Sequence, residues 1–223
     1  MTMKLLLQTA AKFSLGVLLV GLLLFVPAGT INYWQGWLFM AVLFIPMFIA
    51  GIAMMIRSPA LLSKRLDARE KENEQSMVIR LCALMFIIGF IAAGLNHRFK
   101  WCILPDWVSW IGTVLFLIGY LMYAEVLREN TWLSRTVEVQ DGQQVVDQGL
   151  YGIVRHPMYA ATILLFLSIP LVLGSPFTFV IFLAYPFIIA RRIQNEEKVL
   201  MQGLKGYAEY RQKVRWRMIP LIW

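Results

Sequence analysis

Arg155-His156-Pro157-Met158-Tyr159 sets a guanidinium, an imidazole and a phenol side by side at the start of an apolar run. An imidazole there can act as a base, as a hydrogen-bonding contact or as part of a cofactor pocket. Pro157 steers the residue before it away from the α region and itself suits a first helical position, so His156 is predicted to be the entry residue of a helix. Amides at that helix start could receive a carboxylate or another electron-rich group. The plainer alternative is a loop-to-helix junction with an interfacial Arg and Tyr. A second polar cluster, Arg192-Ile193-Gln194-Asn195-Glu196-Glu197, follows the next apolar block. Arg192 and Glu196 are four apart and share a face if the preceding helix continues. Arg192 offers a carboxylate two parallel hydrogen bonds that a lysine cannot reproduce, and Glu196 suits a cationic or hydroxyl-bearing ligand. A simple salt bridge between the two is the competing explanation.

The elements that must position these groups are membrane helices. With 59% hydrophobic residues, 15% charged residues and a mean hydropathy of +0.65, the 223-residue chain is too apolar for a soluble domain. Apolar runs cover about Leu5 to Val26, Trp34 to Ile56, Val78 to Leu95, Trp107 to Val126, Met158 to Leu173 and Phe177 to Ala190. The first four are long enough to cross roughly 30 Å of hydrocarbon as helices. The last two are short, are divided by Gly174-Ser175-Pro176, and carry Pro170 and Pro186. They are expected to form a helical hairpin that enters and leaves on one side. The predicted class is therefore all-α and polytopic, with four spanning helices plus a C-terminal hairpin. The 223 residues form a single integral membrane domain, divided into an N-terminal two-helix segment (1–56) and a core (77–223).

With the N-terminus in the cytoplasm, 19 of the 21 Lys and Arg fall in cytoplasmic segments and only Arg98 and Lys100 lie outside. Both termini are then expected to be cytoplasmic. Tyr33, Trp34 and Trp37, with Trp101, Trp107 and Trp110, are expected to belt the opposite interface. The net charge of +8 does not imply nucleic acid: the basic residues lie close to spans and mix with acids over 58–76, as attraction to anionic headgroups requires. Lys4 and Lys12 flank an apolar start, but Phe25-Val26-Pro27 is a poor cleavage site, and the segment is kept as a membrane helix. Cys82 and Cys102 define neither a disulfide framework nor a metal site. No Asp, Glu, Lys, Arg or His occurs at 34–56, 81–94, 107–124 or 158–190, which lowers an ion-transport reading. A carrier of neutral lipids and a noncatalytic scaffold stay open. Polar information gathers in Arg128 to Pro157 and Arg191 to Trp223, which flank the hairpin and can meet in one pocket. With no Gly-x-Gly in the chain, a nucleotide-like cofactor would have to be held without the dinucleotide-binding fingerprint.

Gly149-Leu150-Tyr151, then Val154-Arg155-His156-Pro157-Met158-Tyr159, a short apolar hairpin, Arg192 to Glu197, Leu200 and Gly206-Tyr207-Ala208-Glu209-Tyr210 resemble the isoprenylcysteine carboxyl methyltransferase family. The wider group of phospholipid methyltransferases is similar. The resemblance covers roughly residues 119 to 217, and the first two spans match only as generic membrane helices. It implies S-adenosylmethionine as methyl donor, in a cytoplasmic pocket capped by the C-terminal segment. By position it implies donor contacts from Gln143, Gln144, Val145, Val146, Tyr151, His156, Pro157, Met158, Tyr159 and Glu196, and an acceptor contact from Arg192. Gln143 departs from the His often found where that first segment begins. Tyr207 and Tyr210 fit the family pattern, with packing as their expected role.

Arg192 and His156 are the candidate catalytic residues, and no metal is expected. Methyl transfer from a sulfonium to a carboxylate is an in-line displacement in which opposite charges disappear. Holding the methyl and its nucleophile near 3 Å carries most of the acceleration. A carboxylate needs no general base; an amine must first lose a proton, to His156 or a glutamate. The expected acceptor is a hydrophobic or lipid-modified molecule, favoured as a prenylcysteine carboxylate. Methylation of a phospholipid or a small amphiphilic amine or thiol is the alternative.

Overall fold

Apolar stretches separated by Gly, Pro and charged turns fold here into an all-helical bundle. The computed structural model describes residues 3–57, 62, 73–133 and 139–223. Most of the mixed-charge stretch 58–76 and part of the 128–157 segment lie outside the described residues. The helices are α1 (Met3–Ala28), α2 (Trp34–Arg57), α3 (Asn73–Phe99), α4 (Asp106–Glu129), α5 (Pro157–Val172), α6 (Pro176–Phe182), α7 (Ala184–Gly203) and α8 (Tyr207–Lys213). A 3-10 turn, Gly149–Gly152, precedes α5. Five stretches are long and apolar enough to cross a membrane: Leu6–Ala28, Trp34–Arg57, Ser76–Phe99, Asp106–Glu129 and Pro176–Gly203.

The four spans and the hairpin of the sequence reading are present, and the second arm of the hairpin is longer than its apolar run. Instead of ending near Ala190, α7 continues through the polar cluster to Gly203. It begins where it does because Pro186 cannot donate to the carbonyl four residues back, at Phe182, where α6 ends. The first arm, α5, has 16 residues, enough for about 24 Å of helix. The hairpin tip reaches the far end of the bundle. There Gly174 takes φ +63 beside Gln35 and Ser109, and the Tyr33 hydroxyl donates to the Leu173 carbonyl at 2.9 Å.

Helices approach closely where a side chain is missing. A Cβ at Gly112 on α4 would lie 2.6 Å from Val172 N, and one at Gly119 would lie 2.8 Å from Leu165 Cγ, so α4 and α5 pack almost backbone to backbone. On α3, a Cβ at Gly94 would meet the Leu24 carbonyl at 2.5 Å, bringing α1 against α3. Hydroxyls tie further pairs: Tyr120 donates to the Leu43 carbonyl at 2.8 Å and Thr178 to the Gly89 carbonyl at 3.0 Å. The core joins all these elements through Leu24, Phe39, Phe90, Phe116, Val172, Phe182 and Ile193.

The expected aromatic belt needs one correction. Trp34, Trp37, Trp101, Trp107 and Trp110 are exposed, as interface anchors would be, but Tyr33 is buried and stacks on His97 with ring centroids 4.1 Å apart. Its hydroxyl binds the hairpin tip, so Tyr33 fixes the bundle internally.

Candidate active site

At the end of the bundle opposite Tyr33, the polar pieces flanking the hairpin meet. Glu129, the last residue of α4, starts the construction. Its carboxylate accepts the Leu150 N–H at 3.1 and 3.0 Å, holding the 3-10 turn against the helix end. Gly149 is required there: it has φ +54, and a Cβ would sit 1.6 Å from a Glu129 oxygen. The turn presents Tyr151, whose hydroxyl accepts from Asn130 Nδ2 at 3.0 Å and whose carbonyl accepts the Tyr210 hydroxyl at 2.8 Å. The chain then reaches His156, held by Pro157 at φ −126 and ψ 61, outside the α region as expected.

The helix entry is not an open anion site. The His156 N–H donates to the Arg217 carbonyl at 2.7 Å, and the Tyr159 N–H donates back to the His156 carbonyl at 3.1 Å. What α5 offers the site is side chains.

Those side chains sort into two groups. Arg155 is buried and borders the cavity, but its guanidinium is taken up by the chain itself. Its Nε donates to Glu197 Oε1 at 2.8 Å, and its Nη1 donates to the Val214 and Arg215 carbonyls, both at 2.7 Å. Arg217 Nε donates to the other Glu197 oxygen at 2.9 Å. One buried carboxylate thus joins the start of α5, the body of α7 and the C-terminal segment. Facing the cavity is a second row, in which Arg192 Nε donates to the Tyr159 hydroxyl at 2.9 Å and that hydroxyl donates to Glu196 Oε2 at 2.5 Å. Arg192 and Glu196 do share a face of α7, but Tyr159 stands between them as relay. The buried His156 ring sits between the groups, with Nδ1 4.0 Å from Glu196 Oε1 and Nε2 3.4 Å from Glu197 Oε1. Nε2 makes no aligned hydrogen bond among the described residues.

The resulting cavity encloses about 830 Å³, open mouth included. Gln143, Gln144, Val145 and Val146 form one wall, Tyr151, His156, Met158 and Tyr159 the floor, and Arg192, Glu196, Val199 and Leu200 of α7 the opposite side. Tyr207 and Tyr210 of α8 close the roof, carried by a small core of Leu204, Tyr207, Tyr210 and Val214 that packs on Val139 and Val145. Of the residues given a donor, acceptor or catalytic role from the sequence, only Pro157 does not line the cavity; it is buried in the first turn of α5. Burial pushes the Tyr207 and Tyr210 hydroxyls well above the ordinary tyrosine range, so both stay neutral near pH 7. The Tyr207 hydroxyl is buried in the cavity wall with no hydrogen-bond partner among the described residues.

Glu197 stood in the second polar cluster without a role of its own, and Arg217, Asn130 and Trp132 were not singled out in the sequence at all. Asn130 and Trp132 line the cavity without any motif to mark them. Glu197 did leave a signal. Tyr185, Ile189 and Ile193 are the buried stripe of α7, and Glu197 is the next residue at that four-residue spacing. A carboxylate on a buried stripe must find partners.

A second, lateral groove of about 1270 Å³, again counted with its opening, runs between α3 and α7. Met77, Val78, Leu81, Phe187 and Ile188 give it apolar walls, and Arg191, Arg192 and Lys198 give it cations. Arg192 belongs to both spaces.

A sequence model of the isoprenylcysteine carboxyl methyltransferase (ICMT) family matches residues 110–202, from within α4 to the end of α7. The chain is similar to this family over that stretch, which is less than half of its length. It is accordingly a multi-pass, membrane-embedded methyltransferase. A probable protein-S-isoprenylcysteine O-methyltransferase of Oryza sativa subsp. indica is 26% identical over 179 residues, covering 75% of this chain and 92% of the rice protein. The Delta(14)-sterol reductase of Methylotuvimicrobium alcaliphilum is 24% identical over 93 residues, covering 40% of this methyltransferase but 22% of the reductase. Among solved structures, the eukaryotic intramembrane Ras methyltransferase ICMT superposes with a TM-score of 0.58 at 21% identity, covering 96% of this chain and 75% of the other. This methyltransferase therefore shares the fold of that enzyme.

Proposed function

We propose that the protein transfers a methyl group from S-adenosylmethionine to the carboxylate of a hydrophobic, prenylcysteine-like acceptor held in the membrane. The observation that carries this reading is the position of Arg192, the residue common to the enclosed polar cavity and the lateral apolar groove. A water-soluble donor and a lipid-borne acceptor need separate approaches that converge on one point.

The cavity fits such a donor. Glu196 supplies a carboxylate for a cationic group, the faces of Tyr151, Tyr207 and Tyr210 supply cation-attracting π surfaces, and His156 Nε2 and the Tyr207 hydroxyl are buried polar atoms in want of partners. Gln143, Gln144, Val145 and Val146 close the remaining wall, with Met158 beneath, while Pro157 acts from behind by fixing His156. When bound, S-adenosylmethionine supplies an electrophilic methyl on a sulfonium centre. Arg192 holds the incoming carboxylate through two charge-assisted hydrogen bonds, and its Nε bond to Tyr159 keeps the guanidinium from swinging. Tyr159 passes that constraint to Glu196, so the two ligand positions are set relative to one another. The roof helix α8 excludes water. Positioning, not proton transfer, supplies the rate.

His156 favours a second reading, N-methylation of an amphiphilic amine. An imidazole nitrogen without an aligned partner, between two carboxylates, is placed to take the proton that such an acceptor must lose. In either case, the excess of Lys and Arg at the site end supports a cytoplasmic pocket with both termini on that side. Residues 77–223 form the working core in this proposal, and 1–56 brace it. Calorimetry in nanodiscs is expected to detect S-adenosylmethionine and its demethylated product, and incubation of methyl-labelled donor with membrane extracts is expected to yield a base-labile ester. No binding of either ligand by folded protein sinks the donor reading. A base-stable, amine-linked label transfers the assignment to the second.

A further inference from the structure

Residues beyond α7 form a strap that runs back across the site end of the bundle, and its chemistry is not used up by the pocket. From Leu204 onward the chain carries Lys205, Arg211, Lys213, Arg215 and Arg217 against the single acid Glu209. Two of these cations are engaged: Lys213 pairs with Asp147 at 2.6 Å, and Arg217 pairs with Glu197 and lies 5.1 Å from the centre of the Trp223 ring. Arg211 and Arg215 are exposed and border an open cleft of about 760 Å³ with Trp216 and Trp223. No carboxylate pairs with either among the described residues.

Next to that cleft the strap ends in an apolar tip. Met218 and Ile219 both donate to the Trp223 carbonyl, closing a tight turn in which Leu221 takes φ +66, a region bulky L residues rarely adopt. Leu221 is 83% exposed and Ile222 75%. Folding within the chain therefore gives these side chains almost nothing. Met218 is buried in the core shared with the spanning helices and Trp223 packs against it, which holds the tip against the site end of that bundle. An apolar tip at that end, flanked by unpaired guanidiniums and a tryptophan, has the composition of an element seated in the headgroup boundary.

We propose that the strap is a docking surface for anionic lipid of the surrounding membrane, with Leu221 and Ile222 inserted among the acyl chains and Arg211 and Arg215 on headgroup phosphates. Docking has a consequence for the site. The same strap accepts hydrogen bonds from the Arg155 and His156 amides at 2.9 and 2.7 Å and from the Arg155 guanidinium through the Val214 and Arg215 carbonyls. A strap held by lipid holds the pocket floor in place. This coupling rests on the donor reading; the lipid contact does not.

The test uses the full chain in nanodiscs, with Cys82 and Cys102 replaced by Ser and an environment-sensitive dye on Leu221→Cys. Brominated acyl chains are expected to quench the dye, and unquenched emission overturns insertion. Hydrogen exchange of the strap amides is then compared between phosphatidylcholine discs and discs with a third of their lipid phosphatidylglycerol. Protection is expected to rise with the anionic lipid and to fall roughly fivefold for each of Arg211→Gln and Arg215→Gln, as removal of one cation from an anionic surface requires. Equal protection in both discs overturns the proposal. Calorimetry with the demethylated donor in the same discs reads the coupling: tighter binding with anionic lipid is expected. Quenching and protection without any donor binding would leave the lipid contact standing and remove the donor reading alone.

Discussion

Two three-residue assemblies, each pairing arginine with a glutamate, lie back to back at the start of α5, and they have opposite characters. Arg155, Glu197 and Arg217 form a closed set: the Glu197 side chain is 5% exposed and both of its oxygens accept from guanidiniums. Arg192, Tyr159 and Glu196 form an open row along the cavity, with the Glu196 side chain 24% exposed and its Oε1 4.0 Å from His156. The difference shows how burial separates holding from acting. A carboxylate enclosed by cations is too well satisfied to exchange partners, and its value is that removing it leaves buried charge behind. A carboxylate on a cavity wall keeps lone pairs for a ligand.

The largest expected effect comes from breaking the closed set. Glu197→Ala strips the buried Arg155 guanidinium and the half-buried Arg217 guanidinium of their partner and is expected to cost about 3–5 kcal/mol of stability, with a marked fall in the thermal unfolding midpoint in detergent. Unchanged unfolding with donor binding abolished would reverse the roles assigned to the two carboxylates.

Arg192→Lys is next. It keeps charge but loses the forked geometry, so methyl transfer is expected to fall roughly 10-fold to 1,000-fold, or about 1.5–4 kcal/mol, while equilibrium donor affinity changes little. Both should be measured on one folded preparation. Equal loss of transfer and donor affinity would place Arg192 in the donor pocket, and unchanged transfer would make it a surface cation.

Glu196→Gln sharpens the comparison from the other side. Donor binding is expected to weaken by about 1.5–3 kcal/mol, the range for a hydrogen bond to a charged group, with the unfolding midpoint little moved. A midpoint that falls as far as that of Glu197→Ala would mean the open row also holds the fold. Tyr159→Phe removes the hydroxyl that joins the two ligand positions, with an expected loss of about 0.5–1.5 kcal/mol from transfer. Combined with Arg192→Lys it should cost less than the sum of the single changes, since both cut one linkage, and strict additivity would deny the relay. The smallest effect belongs to the exposed Lys213–Asp147 pair on the strap. Lys213 holds the Asp147 carboxyl below its ordinary range, so any contribution is present at neutral pH and lost as pH falls through the folded value. Lys213→Ala is expected to leave the unfolding midpoint unchanged at pH 7.

Much of this molecule was legible in one dimension. Apolar run lengths located the helices within a few residues, and Pro157 foretold the unusual backbone of His156. The spacing of Arg192 and Glu196 put both on one face of α7. The hairpin arm was underestimated because the hydropathy signal stops at Ala190, whereas helix hydrogen bonding continues through polar residues wherever their side chains find partners. Tyr33 was misread because an aromatic at a helix end has the same local signature whether it faces lipid or turns inward to a carbonyl 140 positions away.

Composition and order of residues were enough to determine the membrane class, the four long spans and the hairpin, the candidate site pieces and their convergence beside that hairpin. These depend on transfer energies and backbone constraints that act locally. Only the tertiary structure decided which of two adjacent glutamates holds the chain together and which faces the cavity. Successive residues on a helix point about 100° apart, and the side on which α7 is covered depends on α5 and the returning strap, not on the residues of α7 themselves.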